Sequence, residues 1–198
     1  TVPLAPTAIV MPIYNEEVGR VYAGLRATYQ SLVRTGQERW FDFFILSDST
    51  DPNRWVEEEM GWVALSRELN ARGRIFYRRR RVHANKKAGN IADFVTRWGA
   101  AYPQMVVLDA DSLMTADAIV RLATAMEADP DAGIIQSLPL IVNRNTLFAR
   151  VQQFAARIAG PVIAAGLAAW SGRDGKYWGH NAIIRTRAFA AHCGLPDL

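Results

Sequence analysis

Cysteine is nearly absent from this sequence. With Cys193 alone among 198 residues, the chain can form no internal disulfide and no cysteine zinc cluster, which fits a reducing, cytoplasmic setting. Charge of one sign is scarce too. The 23 Lys and Arg against 19 Asp and Glu leave a net +4, too slight to imply nucleic acid as a partner. Long apolar runs are also missing. The nearest, Ile158 to Trp170, is broken by Gly160, Pro161 and Gly166, short of the roughly 18 residues of a spanning helix. No basic and apolar leader opens the chain, so it reads as soluble. Thr1 in first place and the turn-like Gly194, Leu195, Pro196 just before Leu198 make it an excised domain in this reading. Phosphate-loop, dinucleotide, serine-hydrolase and zincin signatures do not occur. What remains is an average globular mixture, half apolar and 21% charged, which excludes disordered and low-complexity classes.

The order of segments carries the fold. Strand-length apolar runs at Ala8 to Met11, Phe41 to Ser47, Arg74 to Tyr77, Met105 to Leu108 and Gly133 to Ser137 alternate with helical patterns near Val18 to Thr35, Asn53 to Leu69, Asn90 to Ala101 and Ala116 to Ala128. Asp51 before Pro52, and Thr115 before Ala116, suit helix caps. Such alternation predicts an α/β fold with a mainly parallel sheet and helices on both faces, because each parallel connection needs a crossover. Beyond Leu138 the pattern decays into a polar link at Asn143 to Asn145, a helix near Leu147 to Ile158, a Gly-flanked element at Tyr177 to Arg185 and a last helix from Thr186.

In open α/β sheets ligands sit beyond the carboxyl ends of the strands, and those positions are polar here. Tyr14, Asn15 and Glu16 follow the first strand, Asp48 to Asp51 the second, and Asp109, Ala110, Asp111 the fourth. Helix capping accounts for Asp51. It accounts poorly for Asp109 and Asp111, two carboxylates that repel unless a cation lies between them. Hard cations such as Mg²⁺ or Mn²⁺ take oxygen ligands and keep water and phosphate oxygens in their shell, so this pair suits a nucleotide-diphosphate site.

Arg78 to Arg81, with Lys86 and Lys87, is the one dense basic cluster. It is either solvated surface or a patch facing phosphate or a membrane. Lys87, Ala88, Gly89 and Asn90 open a helix where backbone N–H groups and an ammonium can approach phosphate together. Of the three histidines, His180 is the functional candidate because it lies in a Gly-bounded turn. Trp40, Trp55, Trp62 and Trp98 read as core, whereas Trp170 and Trp178 either pack in the core or stack on sugar rings.

Taken in order, Pro12-Ile13-Tyr14-Asn15-Glu16, Asp48, Lys87-Ala88-Gly89-Asn90, Asp109-Ala110-Asp111, Gln136 and Gly179-His180-Asn181-Ala182-Ile183-Ile184-Arg185 resemble family 2 glycosyltransferases of the GT-A fold over nearly the whole chain. The wording is most similar to bacterial inner-membrane members, related to cellulose synthase, that build the β-1,2-linked backbone of osmoregulated periplasmic glucans. The resemblance implies an inverting glucosyltransferase domain at the cytoplasmic face of the inner membrane, with UDP-glucose as donor, a growing glucan as acceptor and Mg²⁺ or Mn²⁺ as cofactor. It implies that Glu16 and Asp48, with Tyr14, meet the nucleoside, and that Lys87 and Asn90 lie near the nucleotide. Asp109 and Asp111 would hold metal and diphosphate and carry the catalysis. Gln136, His180 and Asn181 would shape the donor-sugar and acceptor side. Residues 1–138 would form the nucleotide-sugar-binding half, and 139–198 the start of the acceptor-side half.

The family's general base and acceptor-binding motif are expected beyond Leu198, as are the membrane segments, so the 198 residues alone are expected to bind donor without making polymer; Asp197 has no matching context. Three other readings stay open at this level. One is another processive family 2 synthase, similar to cellulose synthase. The second is a haloacid-dehalogenase-type phosphotransferase with Asp109 as nucleophile. The third is a module that binds a nucleotide sugar without transferring it.

Overall fold

A computed structural model describes residues 4–142 and 145–194. Most of the expected polar link at Asn143 to Asn145, and Asp197 with the chain end, lie outside the described residues. Six strands form one sheet: β1 (Thr7–Ile13), β2 (Phe41–Ser47), β3 (Ile75–Arg79), β4 (Gln104–Val107), β5 (Ile134–Gln136) and β6 (Ala182–Arg185). Their spatial order is β3-β2-β1-β4-β6-β5. The first four are mutually parallel, as the alternation predicts, and helices connect them: α1 (Val18–Arg34), α2 (Pro52–Glu68) and α3 (Lys86–Trp98), with α4 (Ala116–Ala128) following β4. β6 is antiparallel to both neighbours. It wedges between β4 and β5, so the two expected halves share one sheet.

The central strands are near-continuous apolar runs because helices cover both faces. Side chains alternate along β1. Ile9, Met11 and Ile13 face a core with Phe43, Ile45, Val21, Leu25, Ile119 and Leu122, under α1, α2 and α4. Ala8 and Val10 face the opposite core with Phe44, Leu46, Ile91 and Phe94, under α3. Phe44 is the hub there, with Phe76 stacked at 4.9 Å and Phe94 edge-on at 4.8 Å. Asp51 accepts from the Asn53 N–H at 2.9 Å and Thr115 from the Ala118 N–H at 3.3 Å, so both act as the caps the sequence indicates.

Register brings the site together. Ile13 pairs with Ser47 and Val10 with Val107, so the residues that follow β1, β2 and β4 emerge side by side at one edge. β5 ends and β6 begins at this same edge, where Gln136 pairs with Ala182.

Two expectations are corrected. The helix placed at Leu147 to Ile158 runs on as α5 (Leu147–Ser171), with Pro161 and both glycines inside it. Long enough and apolar enough to cross a membrane, it has no buried residue, and the Pro161 ring leaves unpaired only backbone groups that water can reach. Trp170 at its end is 90% exposed, which removes the core reading; α6 (Thr186–His192) then closes the described chain.

Candidate active site

Tyr14, Glu16, Asp48, Lys87, Asn90, Asp109 and Asp111 all line one cleft of about 920 Å³ at the carboxyl edge of the sheet. Arg20, His83 and Lys86 line it as well. Each wall is held by contacts the sequence did not advertise.

The turn after β1 is built on Asn15. Its backbone is left-handed at φ 57°, a conformation Asn tolerates better than most residues. Its N–H donates to Ser49 Oγ at 2.9 Å, and its Oδ1 accepts from the N–H groups of Thr50 (3.1 Å) and Asp51 (3.2 Å). Asn15 thereby latches the β1–α1 turn to the β2–α2 turn. Beneath that latch lies Glu58 of α2, 1% exposed, which accepts from Ser47 Oγ at 2.6 Å, Ser49 Oγ at 2.5 Å and the Tyr77 hydroxyl at 2.9 Å. Glu16 folds back so that its carboxylate accepts from the Tyr14 N–H. Tyr14 itself stands 57% exposed at the rim.

Asp48 is not open to the cleft in the manner expected of a nucleoside contact, because Arg80 spans both of its oxygens. The arginine run divides along the two-residue period of the strand. Arg78 points to α3, donating to Asn90 Oδ1 at 2.7 Å and pairing with Asp93 at 3.2 Å, and burial pushes its guanidinium pKa down. Arg79 points the other way and lies 3.9 Å over the Trp55 ring. Arg80 turns inward to Asp48 and to the carbonyls of Ala84 and Lys86, each at 3.1 Å. Neither a solvated patch nor a phosphate-facing or membrane-facing one describes Arg78 to Arg80; Arg81 alone is exposed. Asn90 borders the cleft, but its amide ties Arg78 to the Leu46 carbonyl, which accepts from Nδ2 at 2.8 Å.

At the end of β4, the Lys87 ammonium donates to Asp109 Oδ1 and to the Gly179 carbonyl, the latter at 2.8 Å. Lys87 thus joins the acid pair to the Tyr177 to Asn181 turn. Burial first, and the Asp109 charge second, push the Tyr177 phenol pKa upward, so it stays a protonated donor beside the carboxylates. Gln136 Oε1 accepts from the Trp178 N–H at 2.9 Å. Its Nε2, with His180 Nδ1 and Asn181 Oδ1, is buried without a hydrogen-bond partner. None of these three residues lines the cleft, so the structure does not bring the expected sugar-side set together with Asp109 and Asp111 in one wall.

Among the described residues no three His, Cys, Asp or Glu side chains converge. Asp109 and Asp111 can therefore supply only part of a metal shell, as hard divalent cations that share diphosphate and water oxygens require. Charge counting agrees. With Asp48 neutralised by Arg80, Glu16, Glu17, Asp109 and Asp111 face Arg20, Lys86 and Lys87 across the cleft, too little positive charge to take a diphosphate without a cation.

The sequence model of glycosyl transferase family 2 matches residues 8–192. The chain belongs to that family. Curated relatives named glucans biosynthesis glucosyltransferase H are similar across nearly all of it: the Xylella fastidiosa protein is 57% identical over 192 residues, 97% of this chain. That from Cupriavidus pinatubonensis is 55% identical over 99% of it. The chain spans only 30% and 23% of their lengths. Among solved structures, the mannosyltransferase PcManGT from Pyrobaculum calidifontis, in complex with GDP-Man and Mn²⁺, superposes over 98% of this chain and 48% of its own with a TM-score of 0.67 at 16% identity. The fold of this family 2 member is therefore GT-A. Family membership also removes the phosphotransferase reading of Asp109.

Proposed function

We propose that the domain transfers glucose from UDP-glucose to a growing glucan, the β-1,2-linked backbone of osmoregulated periplasmic glucans, as part of a longer glucosyltransferase at the cytoplasmic face of the bacterial inner membrane. The observation that carries this is the Asp109–Asp111 pair tied through Lys87 to a turn holding unpaired His180 and Asn181, with Gln136 beside it. The glucosyltransferase relatives support the sugar, and the Mn²⁺ and GDP-Man of PcManGT support a cation-dependent nucleotide-sugar site.

In the transfer an acceptor hydroxyl oxygen attacks the anomeric carbon while the bond from that carbon to the diphosphate oxygen breaks, inverting the centre and releasing UDP, and the hydroxyl proton passes to a general base contributed by the longer protein. Asp109 and Asp111 would hold a Mg²⁺ or Mn²⁺ ion, which would supply positive charge to offset that building on the departing diphosphate. Lys87 holds the Asp109 carboxylate in place and adds positive charge on the same side. Gln136, His180 and Asn181 offer donors and acceptors to the hydroxyls of the sugar. Tyr14 stands at the rim as a stacking face for the base.

Titration calorimetry of the 198-residue chain with UDP and Mn²⁺ tests the reading. Binding is expected to vanish with EDTA and in Asp109→Asn/Asp111→Asn, with the fold unchanged by circular dichroism. Affinity indifferent to both would overturn it.

A further inference from the structure

The run from Ala132 through β5 and α5 to Arg173 has a composition of its own. Residues 132–173 contain no Asp or Glu, where the chain's mean density gives about four, and their only charges are Arg144, Arg150, Arg157 and Arg173. Arg173 pairs with Asp129. Arg150 and Arg157 are exposed on α5 and have no acidic partner among the described residues.

No residue of α5 is buried. Its half-buried positions, Ala149, Gln153, Ala156, Gly160 and Ala164, recur every three or four residues, so one narrow line of mostly small side chains faces the body. The same spacing on the opposite side gives Leu147, Val151, Phe154, Ile158 and Val162, a purely apolar ridge whose members are 57% to 81% exposed. Arg150 and Arg157 run along one flank, and Trp170 stands near the far end. Soluble domains seldom expose a continuous apolar patch of this kind unless something covers it.

Crossing a membrane is excluded by topology. β5 and β6 are hydrogen-bonded neighbours, and only residues 137–146 and 172–181 join them to α5. Were α5 to span the hydrocarbon, one of these links would have to recross about 30 Å of it, carrying unpaired backbone groups that lipid does not tolerate. A helix with an apolar ridge, arginines alongside it, no acid and a terminal tryptophan instead suits the interface plane.

We propose that α5 lies flat on an anionic lipid membrane, its Leu147–Val162 ridge in the acyl boundary and Arg150 and Arg157 at the headgroup phosphates. The link leaves and rejoins the sheet at the edge that carries Asp109, so docking sets the cleft beside the bilayer. The inference does not rest on the transfer reaction, since nucleotide binding and lipid binding use different residues.

Co-sedimentation of the 198-residue chain with vesicles tests it. Binding to phosphatidylglycerol–phosphatidylethanolamine vesicles is expected, at least tenfold tighter than to phosphatidylcholine. Val151→Ser/Phe154→Ser/Ile158→Ser should abolish it, and Arg150→Gln/Arg157→Gln should weaken it about 30-fold, from roughly fivefold per arginine near an anionic surface. Titration with UDP and Mn²⁺ should stay unchanged in both variants, which also confirms that they fold. No binding, equal binding to both lipids, or an unaffected ridge variant overturns the proposal. In the longer protein in its own membrane, a photoreactive Phe154→p-benzoylphenylalanine variant should crosslink to phospholipid; a crosslink to another protein segment or a second copy overturns it.

Discussion

Arg80 closes on Asp48 like a clamp, Nε donating to Oδ1 at 2.8 Å and Nη2 to Oδ2 at 2.5 Å, with both side chains only 8% exposed. The same guanidinium accounts for the shape of the β3–α3 loop, because it also binds the carbonyls of Ala84 and Lys86. Asp48 therefore meets the cleft as half of a buried ion pair. Breaking such a pair leaves an uncompensated charge, and Arg80→Ala is expected to cost about 3–5 kcal/mol. Arg80→Lys keeps the charge but loses the fork, so it should recover only part of that stability and should still weaken UDP–Mn²⁺ binding through the displaced loop. Urea denaturation and calorimetry check both effects. A loss below about 1 kcal/mol for Arg80→Ala would mean that the clamp is not holding the fold.

Gly89 gives a second prediction, with a different cause from the one its sequence context implies. A Cβ there would lie 2.0 Å from the Ala84 carbonyl oxygen and 2.9 Å from the Asn85 Cβ. The loop is pressed onto α3 by two successive left-handed residues, Asn85 and Lys86, so the glycine is needed for backbone approach inside the protein. Gly to Ala inside a helix ordinarily stabilises by up to about 1 kcal/mol. Gly89→Ala should instead destabilise by about 1–3 kcal/mol through overpacking and move Lys87 off Asp109. Gly166→Ala on α5, where nothing lies within 4 Å, should show the ordinary gain. Thermal unfolding of the two variants side by side checks the contrast.

The positions of Asp48, Asp109 and Asp111 were legible because β2 and β4 are apolar runs ending in acids, and parallel register with β1 between them then brings those ends together. The clamp on Asp48 was not legible, because a run of four arginines hides the two-residue alternation that sends Arg78 to α3, Arg79 to Trp55 and Arg80 to Asp48. Glu58 sits among the other acids of α2, and nothing in its neighbours distinguishes it. Ser47 and Ser49, two apart at a strand end, are the one local hint that a buried acceptor lies below. The length of α5 was misread for a definite reason. Gly160, Pro161 and Gly166 are breakers in a packed helix, whereas here the groups that Pro161 leaves unpaired face solvent. Chain order could not tell where the Gly-flanked element would insert, and β6 proved to lie between β4 and β5.

Tyr22 supplies a prediction that turns on pH. Its ring is 5% exposed, and its hydroxyl donates to the Glu58 carbonyl at 2.6 Å. Burial first, then the charges of Tyr77 and of Glu58 and Glu59, drive its pKa well above the ordinary value of 10. The folded chain therefore keeps the phenolic proton while the unfolded chain gives it up above pH 10. Stability contributed by the neutral phenol is fully present below pH 10 and falls by about 1.4 kcal/mol per pH unit above it. Near neutrality, Tyr22→Phe loses one buried hydrogen bond, so it should be about 1 kcal/mol less stable than the parent. Above pH 10 the parent pays an ionisation penalty that the variant lacks, so the two should be equally stable near about pH 11 and the variant ahead by roughly 1–2 kcal/mol at about pH 12. Tyr77 and Tyr102, also shifted upward by burial, weaken both proteins together and leave the difference to Tyr22. Urea unfolding of the two chains from pH 7 to 12 reads this directly. Parallel stability curves across that range would show that the Tyr22 phenol ionises as readily in the folded chain as in the unfolded one.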